Sequence, residues 1–204
     1  YRSLGMLYLA TNRVDEGDRA FRRAVSLNPA SSDSWLGLAR HQFKSGDFSA
    51  ALNSINRCLQ SEESNYEGWH ILAQIYLKLN KVKDAEKAAK RSVDLKISFA
   101  EGWKTLGEIL DRRGKRNDAL EAFRNVIEIN PDDSMGWSNL GVAFIKAKRT
   151  REALSSIQKA VELDPENITA WKNLVTLHRQ EGRIREADAA NEKFLELQKK
   201  KAHT

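Results

Sequence analysis

Residues able to do acid–base, nucleophilic or metal chemistry are few in this chain, and they do not converge. The four histidines, His41, His70, His178 and His203, stand without a Cys or His partner at metal-ligand spacing. Asp132 and Asp133 sit side by side in an expected turn, where the chemistry of helix starts accounts for them. Gly5, Gly107 and Gly141 are spread along the chain rather than gathered into a phosphate-cradling loop. The sequence therefore predicts no catalytic constellation, no metal and no cofactor. What does recur is chemistry suited to binding. Lys44, Lys78, Arg112 and Lys146 follow one another at intervals of 34 residues. Such a column suits the acidic side chains or terminal carboxylate of a peptide. The same cations, in the last turn of a helix, would complement the helix dipole. Asn139 and Asn173 are also 34 apart, and an asparagine amide can pair with both the N–H and the C=O of an extended peptide.

The interval of 34 belongs to the whole chain. Trp35, Trp69, Trp103, Trp137 and Trp171 are all five tryptophans, equally spaced, and one further step back falls on Tyr1. Three residues after each aromatic stands Leu4, Leu38, Leu72, Leu106, Leu140 or Leu174, and a small residue follows in five of the six units. Tyr8, Tyr76, Leu110 and Phe144 come next, with Gln42 and His178 as departures. Spacings of three and four place these side chains on one helical face, and His178 reads as a packed core histidine. A break follows at Asn12, Gly46, Asn80, Gly114, Lys148 and Gly182, which calls for the left-handed backbone of a helix end.

A second helix begins beyond the break. Gly17, Ala51, Ala85, Ala119, Ala153 and Ala187 mark its close-contact position, followed in most units by Phe or Ile and then by a small residue. Cys58 falls in that last place, beside Ala24, Val126 and Ala160 of other units. It reads as a core residue, and a single cysteine excludes an internal disulfide. Pro29, Pro131 and Pro165 close three units.

This succession of Trp, Leu-Gly, Tyr, Ala, Phe, Ala and Pro resembles the tetratricopeptide repeat, most nearly in the stretch from Trp137-Ser138-Asn139-Leu140-Gly141 to Leu163-Asp164-Pro165. The resemblance covers the chain in six units, at about 1–31, 32–65, 66–99, 100–133, 134–167 and 168–201, as one array over 1–204 with a basic C-terminal tail at 198–204. It implies an all-α, right-handed α-solenoid superhelix of about twelve helices in antiparallel pairs. The tryptophans would cement the helices. The third unit departs most, with Ala89 for the large apolar residue and Ile97 for the proline, which would loosen the turn that follows. The first unit starts inside its helix, as a fragment would. In the sixth, Asn191 and Lys199 give the polar outer face of a terminal cap.

The resemblance also implies a concave groove lined by the first helices, reached by the two residues after each tryptophan and the fifth, eighth and ninth after it. Those places hold the basic column, Asn139 and Asn173, and the apolar Leu36, Phe43, Ile71, Leu77, Val142 and Ile145, which suit an amphipathic ligand. The two asparagines resemble the asparagine ladder of sugar-transferase arms. Lys104 and Asn139 match two places of the carboxylate clamp of chaperone-binding domains. Glu108, Thr169 and Asn173 depart from that clamp, and Glu108 would repel a carboxylate. The expected peptide-binding set is Lys44, Lys78, Lys104, Arg112, Asn139, Lys146 and Asn173.

Hydrophobic content of 41% and charged content of 30% describe an ordinary folded protein. No apolar run approaches the roughly 18 residues that a membrane span needs. The net charge is +6, and Lys199-Lys200-Lys201 contribute to it. The reading is a non-enzymatic scaffold that binds a protein or peptide, acidic or amphipathic, in the groove. One alternative is a regulatory or substrate-recognition arm of a larger enzyme such as a glycosyltransferase. Another is an RNA-binding helical repeat, which would require exposed aromatics among the cations, whereas most aromatics here fall at core positions. Self-association through the array ends is a further expectation.

Overall fold

The structure, a computed structural model, describes residues 1–202. His203 and the last residues of the 198–204 segment lie outside the described residues. Twelve helices and no strand are found among the described residues: α1 (Arg2–Ala10), α2 (Val14–Leu27), α3 (Ser32–Lys44), α4 (Phe48–Ser61), α5 (Tyr66–Lys78), α6 (Val82–Leu95), α7 (Ala100–Arg112), α8 (Arg116–Ile129), α9 (Ser134–Lys146), α10 (Thr150–Leu163), α11 (Ile168–Gln180) and α12 (Ile184–Ala202). They form an all-α repeat solenoid of helix pairs. Lys199, Lys200 and Lys201 lie in the last turn of α12.

The chain divides into two compact units, Tyr1–Ile109 and from Leu110 onward. In the first unit α1 packs on α2, α3 on α4 and α5 on α6, while α2 meets α3, α4 meets α5, and the first helices α1, α3 and α5 touch in succession. In the second unit α9 pairs with α10 and α11 with α12, and α8·α9, α10·α11 and α9·α11 contacts link them.

Local chemistry sets the helix ends. Ser31, Asn65 and Asn167 cap first helices by accepting from the N–H three residues on, and Asp133 does so two residues on. Each such cap contributes about 1 kcal/mol. The second helices start differently: Arg13, Lys81, Lys115 and Arg149 hold the cap position with no side-chain bond, while α4, capped by Asp47, follows the other rule. Between the helices of every pair the chain passes through positive φ at Asn12, Gly46, Asn80, Gly114, Lys148 and Gly182. The residue after each turns its N–H back onto the first helix, as Arg149 N–H does to Phe144 O at 2.9 Å. This closes the helix end in the manner expected from the sequence.

Ala51, Ala85, Ala119, Ala153 and Ala187 are at most 1% exposed, the contact at which two helices approach most closely. The facing glycine is as tightly held: a Cβ at Gly141 would lie 2.4 Å from Ile157 Cγ1. All five tryptophans are half-buried. Each indole N–H donates to the carbonyl six residues earlier, on Pro29, Glu63, Ile97, Pro131 or Pro165, at 2.7–2.9 Å. The tryptophan thus ties the start of its helix to the turn entering the repeat. Ile97, although 69% exposed, offers the same carbonyl as the prolines, so the third unit's turn keeps this bond.

Candidate functional site

The first-helix positions that follow each tryptophan divide into two kinds. In the first unit the two places after Trp35 and Trp69, and Thr105 after Trp103, serve the seam between neighbouring repeats. Leu36 and Ile71 are both 7% exposed, and Gly37 lies so close to the Phe21 ring that a Cβ there would come within 2.3 Å of it. His70 is buried, and its Nε2 lies 3.0 Å from Thr105 Oγ1 one repeat on. Phe99 meets the same imidazole edge-on, with centroids 5.1 Å apart. Burial of this ring pushes its pKa down to about 4, so it is held as the neutral imidazole. Ser138 and Asn173 occupy the equivalent places in the second unit, 68 residues further along. Ser138 Oγ and Asn173 Nδ2 are both buried without a hydrogen-bond partner among the described residues.

The later places, and Lys104 directly after Trp103, open outward. In the first unit Lys44 and Lys78 stand exposed at the ends of α3 and α5, with no ion pair among the described residues, beside half-buried Phe43 and Leu77. Phe43 rests on Phe48 with ring centroids 5.6 Å apart. Lys104, half-buried, lies 3.6 Å from Glu101. A cleft of about 380 Å³ on the same unit is lined by Met6 and Leu36 and by Arg2, Asp33, Arg40 and Glu67. Arg2 is paired with Asp33 and Arg40 with Glu67. Its charges are thus balanced across successive first helices, and Met6, 43% exposed, offers the apolar contact.

In the second unit Lys146 reaches back one repeat to pair with Asp111, the residue beside Arg112. These two members of the basic column are therefore brought to the same helix end. Asn139 is half-buried on α9 and Asn173 half-buried on α11. Position on the helix puts Leu36, Gly37, His70, Ile71 and Thr105 in the groove; the structure instead packs His70, Ile71 and Thr105 between repeats, while Leu36 and Gly37, though buried, still line the cleft on the first-helix face. The departure of repeat-to-repeat residue size at those places was the available signal.

Cys58 is fully buried, and burial, aided by Glu62, pushes its thiol up to about 12, which keeps it unreactive. His178 is buried at the core position expected for it. No group of His, Cys, Asp and Glu able to hold a metal occurs among the described residues. No described helix is long and apolar enough to cross a membrane.

Comparison with known families matches tetratricopeptide-repeat profiles to residues 1–31 and 104–168. The chain is a tetratricopeptide-repeat protein. Residues 18–92 also match the family described as anaphase-promoting complex, cyclosome, subunit 3. Among solved structures, MamA aligns at 23% identity and a TM-score of 0.76, covering 82% of this chain and 98% of that one. PilF of Pseudomonas aeruginosa aligns at 16% identity and a TM-score of 0.84, covering 100% and 96%. YrrB, described as a tetratricopeptide-repeat protein with an unusual peptide-binding site, aligns at 18% and 0.72, covering 88% and 92%. At these identities the likeness is one of fold. Comparison with curated protein sequences finds no match. Protein binding is the general role of tetratricopeptide repeats.

Proposed function

We propose that this chain is a non-enzymatic scaffold that holds an acidic or amphipathic peptide, or a segment of a partner protein, against the first helices of its repeats. Lys44, Lys78, Lys104, Arg112, Asn139, Lys146 and Asn173 are the contact set. The observation that carries the reading is the state of Lys44 and Lys78. They recur at one repeat position, exposed, without ion pairs among the described residues, and each adjoins a half-buried apolar side chain. That is the pairing of charge and apolar surface an amphipathic segment needs. Asn139, half-buried on α9, adds an amide group suited to an extended backbone, whereas the Asn173 Nδ2 is buried. The peptide-binding description of YrrB is consistent with this role.

A pull-down comparing the wild type with a Lys44→Glu/Lys78→Glu variant, read by mass spectrometry, tests it. A protein retained by the wild type and lost from the folded variant is the expected result. Equal retention would remove these lysines from the binding surface.

A second, subsidiary reading is self-association through the first helix. Leu4 and Leu7 are 39% and 57% exposed, whereas the equivalents of Leu7 in later repeats, His41, Ile75, Ile109, Ala143 and Leu177, are at most 5% exposed. A fall in molar mass by light scattering on Leu7→Glu is the expected signature.

A further inference from the structure

The surplus charge of this protein is not spread over its surface. In the second unit the turns joining the two helices of each repeat, at 112–118, 146–152 and 180–186, hold ten Lys and Arg against four Asp and Glu. That surplus of six equals the net charge of the entire chain, +6. The equivalent turns of the first unit, 10–16, 44–50 and 78–84, hold five against four.

Helix electrostatics favours Arg112 and Lys146, which close their helices, but does not explain the rest of this concentration. Lys115 and Arg149 occupy N-cap positions, Arg116 opens α8, and Arg151 and Arg185 lie in the first turns of α10 and α12. Cations there face the positive end of the helix dipole, which opposes them. Arg116, Arg151 and Arg185 are exposed and make no ion pair among the described residues. An open cleft of about 460 Å³ lies between the first two of these turns, lined by Gly114, Lys115, Arg116, Asn117, Asp118 and Ala147. The pairing of Lys146 with Asp111 ties the same two repeats together.

We infer that this turn edge is a second docking surface, meeting the first-helix faces at Arg112 and Lys146, for an extended acidic segment of a partner protein. Seven of the ten cations are arginine, the side chain whose planar fork grips a carboxylate through two parallel hydrogen bonds. Successive repeats place their turns about 10 Å apart, the spacing of packed helices. A polyproline-II segment advances about 3.1 Å per residue with three residues per turn, so every third side chain lies on one face, about 9 Å further along, and meets a new turn. Carboxylates at i, i+3 and i+6 therefore match three successive repeats. The three turns contain no aromatic residue. They thus lack the stacking platform that unpaired bases use and the ring anchors of a membrane interface.

The test is fluorescence anisotropy at low salt with a labelled Gly/Ser peptide carrying Asp at every third position, against the full chain. The Arg116→Glu/Arg151→Glu/Arg185→Glu variant places acids where helix starts favour them, and circular dichroism checks its fold. Arg116→Gln/Arg151→Gln/Arg185→Gln serves as a milder second variant. Both should weaken binding, the reversal at least tenfold, while Arg19→Glu/Arg23→Glu/Lys87→Glu on the first unit leaves it nearly unchanged. Equal losses from the two reversed triples would reduce the effect to net charge and overturn the inference. So would tighter binding of duplex RNA or of phosphatidylserine vesicles than of the peptide.

Discussion

Trp103→Ala tests the main structural inference about these repeats, that one indole both fills the helix contact and ties down the turn. Truncating a fully buried tryptophan costs roughly 3–5 kcal/mol, and Trp103 is half-buried, so about 2 kcal/mol is expected from packing. Its N–H donates to Ile97 O at 2.7 Å, and losing a bond of that kind adds about 1 kcal/mol. The sum is about 3 kcal/mol. Trp103→Phe separates the two contributions, because it keeps an aromatic ring and deletes the donor; it should cost about 1 kcal/mol. Urea unfolding followed by far-ultraviolet circular dichroism reads both. An unchanged slope with a lower midpoint is the expected behaviour. A reduced slope would mean that the substitution uncouples neighbouring repeats. A loss below about 1 kcal/mol for Trp103→Ala would refute the assignment, and no loss for Trp103→Phe would show that the turn bond contributes nothing.

Two backbone positions and one histidine carry the remaining predictions. Gly141→Ala should destabilise by about 1–2 kcal/mol, since strain against the fully buried Ile157 outweighs the gain in helix propensity. Lys148→Gly should stabilise by up to about 1 kcal/mol, because φ of 59° is unfavourable for any residue with a Cβ and the relief exceeds the added chain entropy. Chemical denaturation of each variant decides both. His70 has a folded pKa lowered to about 4 from 6.5 by burial, so the unfolded chain takes up a proton before the folded one does. Its contribution is fully present above pH 6.5 and is lost as the pH falls towards 4, on the order of 3 kcal/mol in all. His70→Gln, which can still bond Thr105, should flatten the stability profile in that window; an unchanged slope would contradict the burial argument.

The repeat, the helix ends and much of the core were legible in the sequence because each depends on short-range geometry. Asparagine, glycine and even Lys148 could be assigned a left-handed backbone because the same break recurs at a fixed place. Cys58 and His178 could be assigned to the core because their equivalents are apolar or aromatic. The indole bond to the turn carbonyl was not legible, since nothing in a spacing of six distinguishes a packing tryptophan from a donating one. The seam residues were misread for a related reason. Position on a helix indicates a direction, but whether His70 meets a ligand or Thr105 depends on how closely the next repeat stacks. Side-chain pairings such as Arg40 with Glu67 and Lys146 with Asp111 lie 27 and 35 residues apart and depend on that same stacking.

The proposed role rests on the first helices holding a partner. Hydrogen–deuterium exchange of the full chain, with and without the protein recovered by the wild-type bait, tests it most directly. Slowed exchange in α3 and α5, and in α9 and α11, with α4, α6 and α10 unchanged, is the predicted result. Protection confined to the second helices, or no protection in any helix at saturating partner, would contradict it.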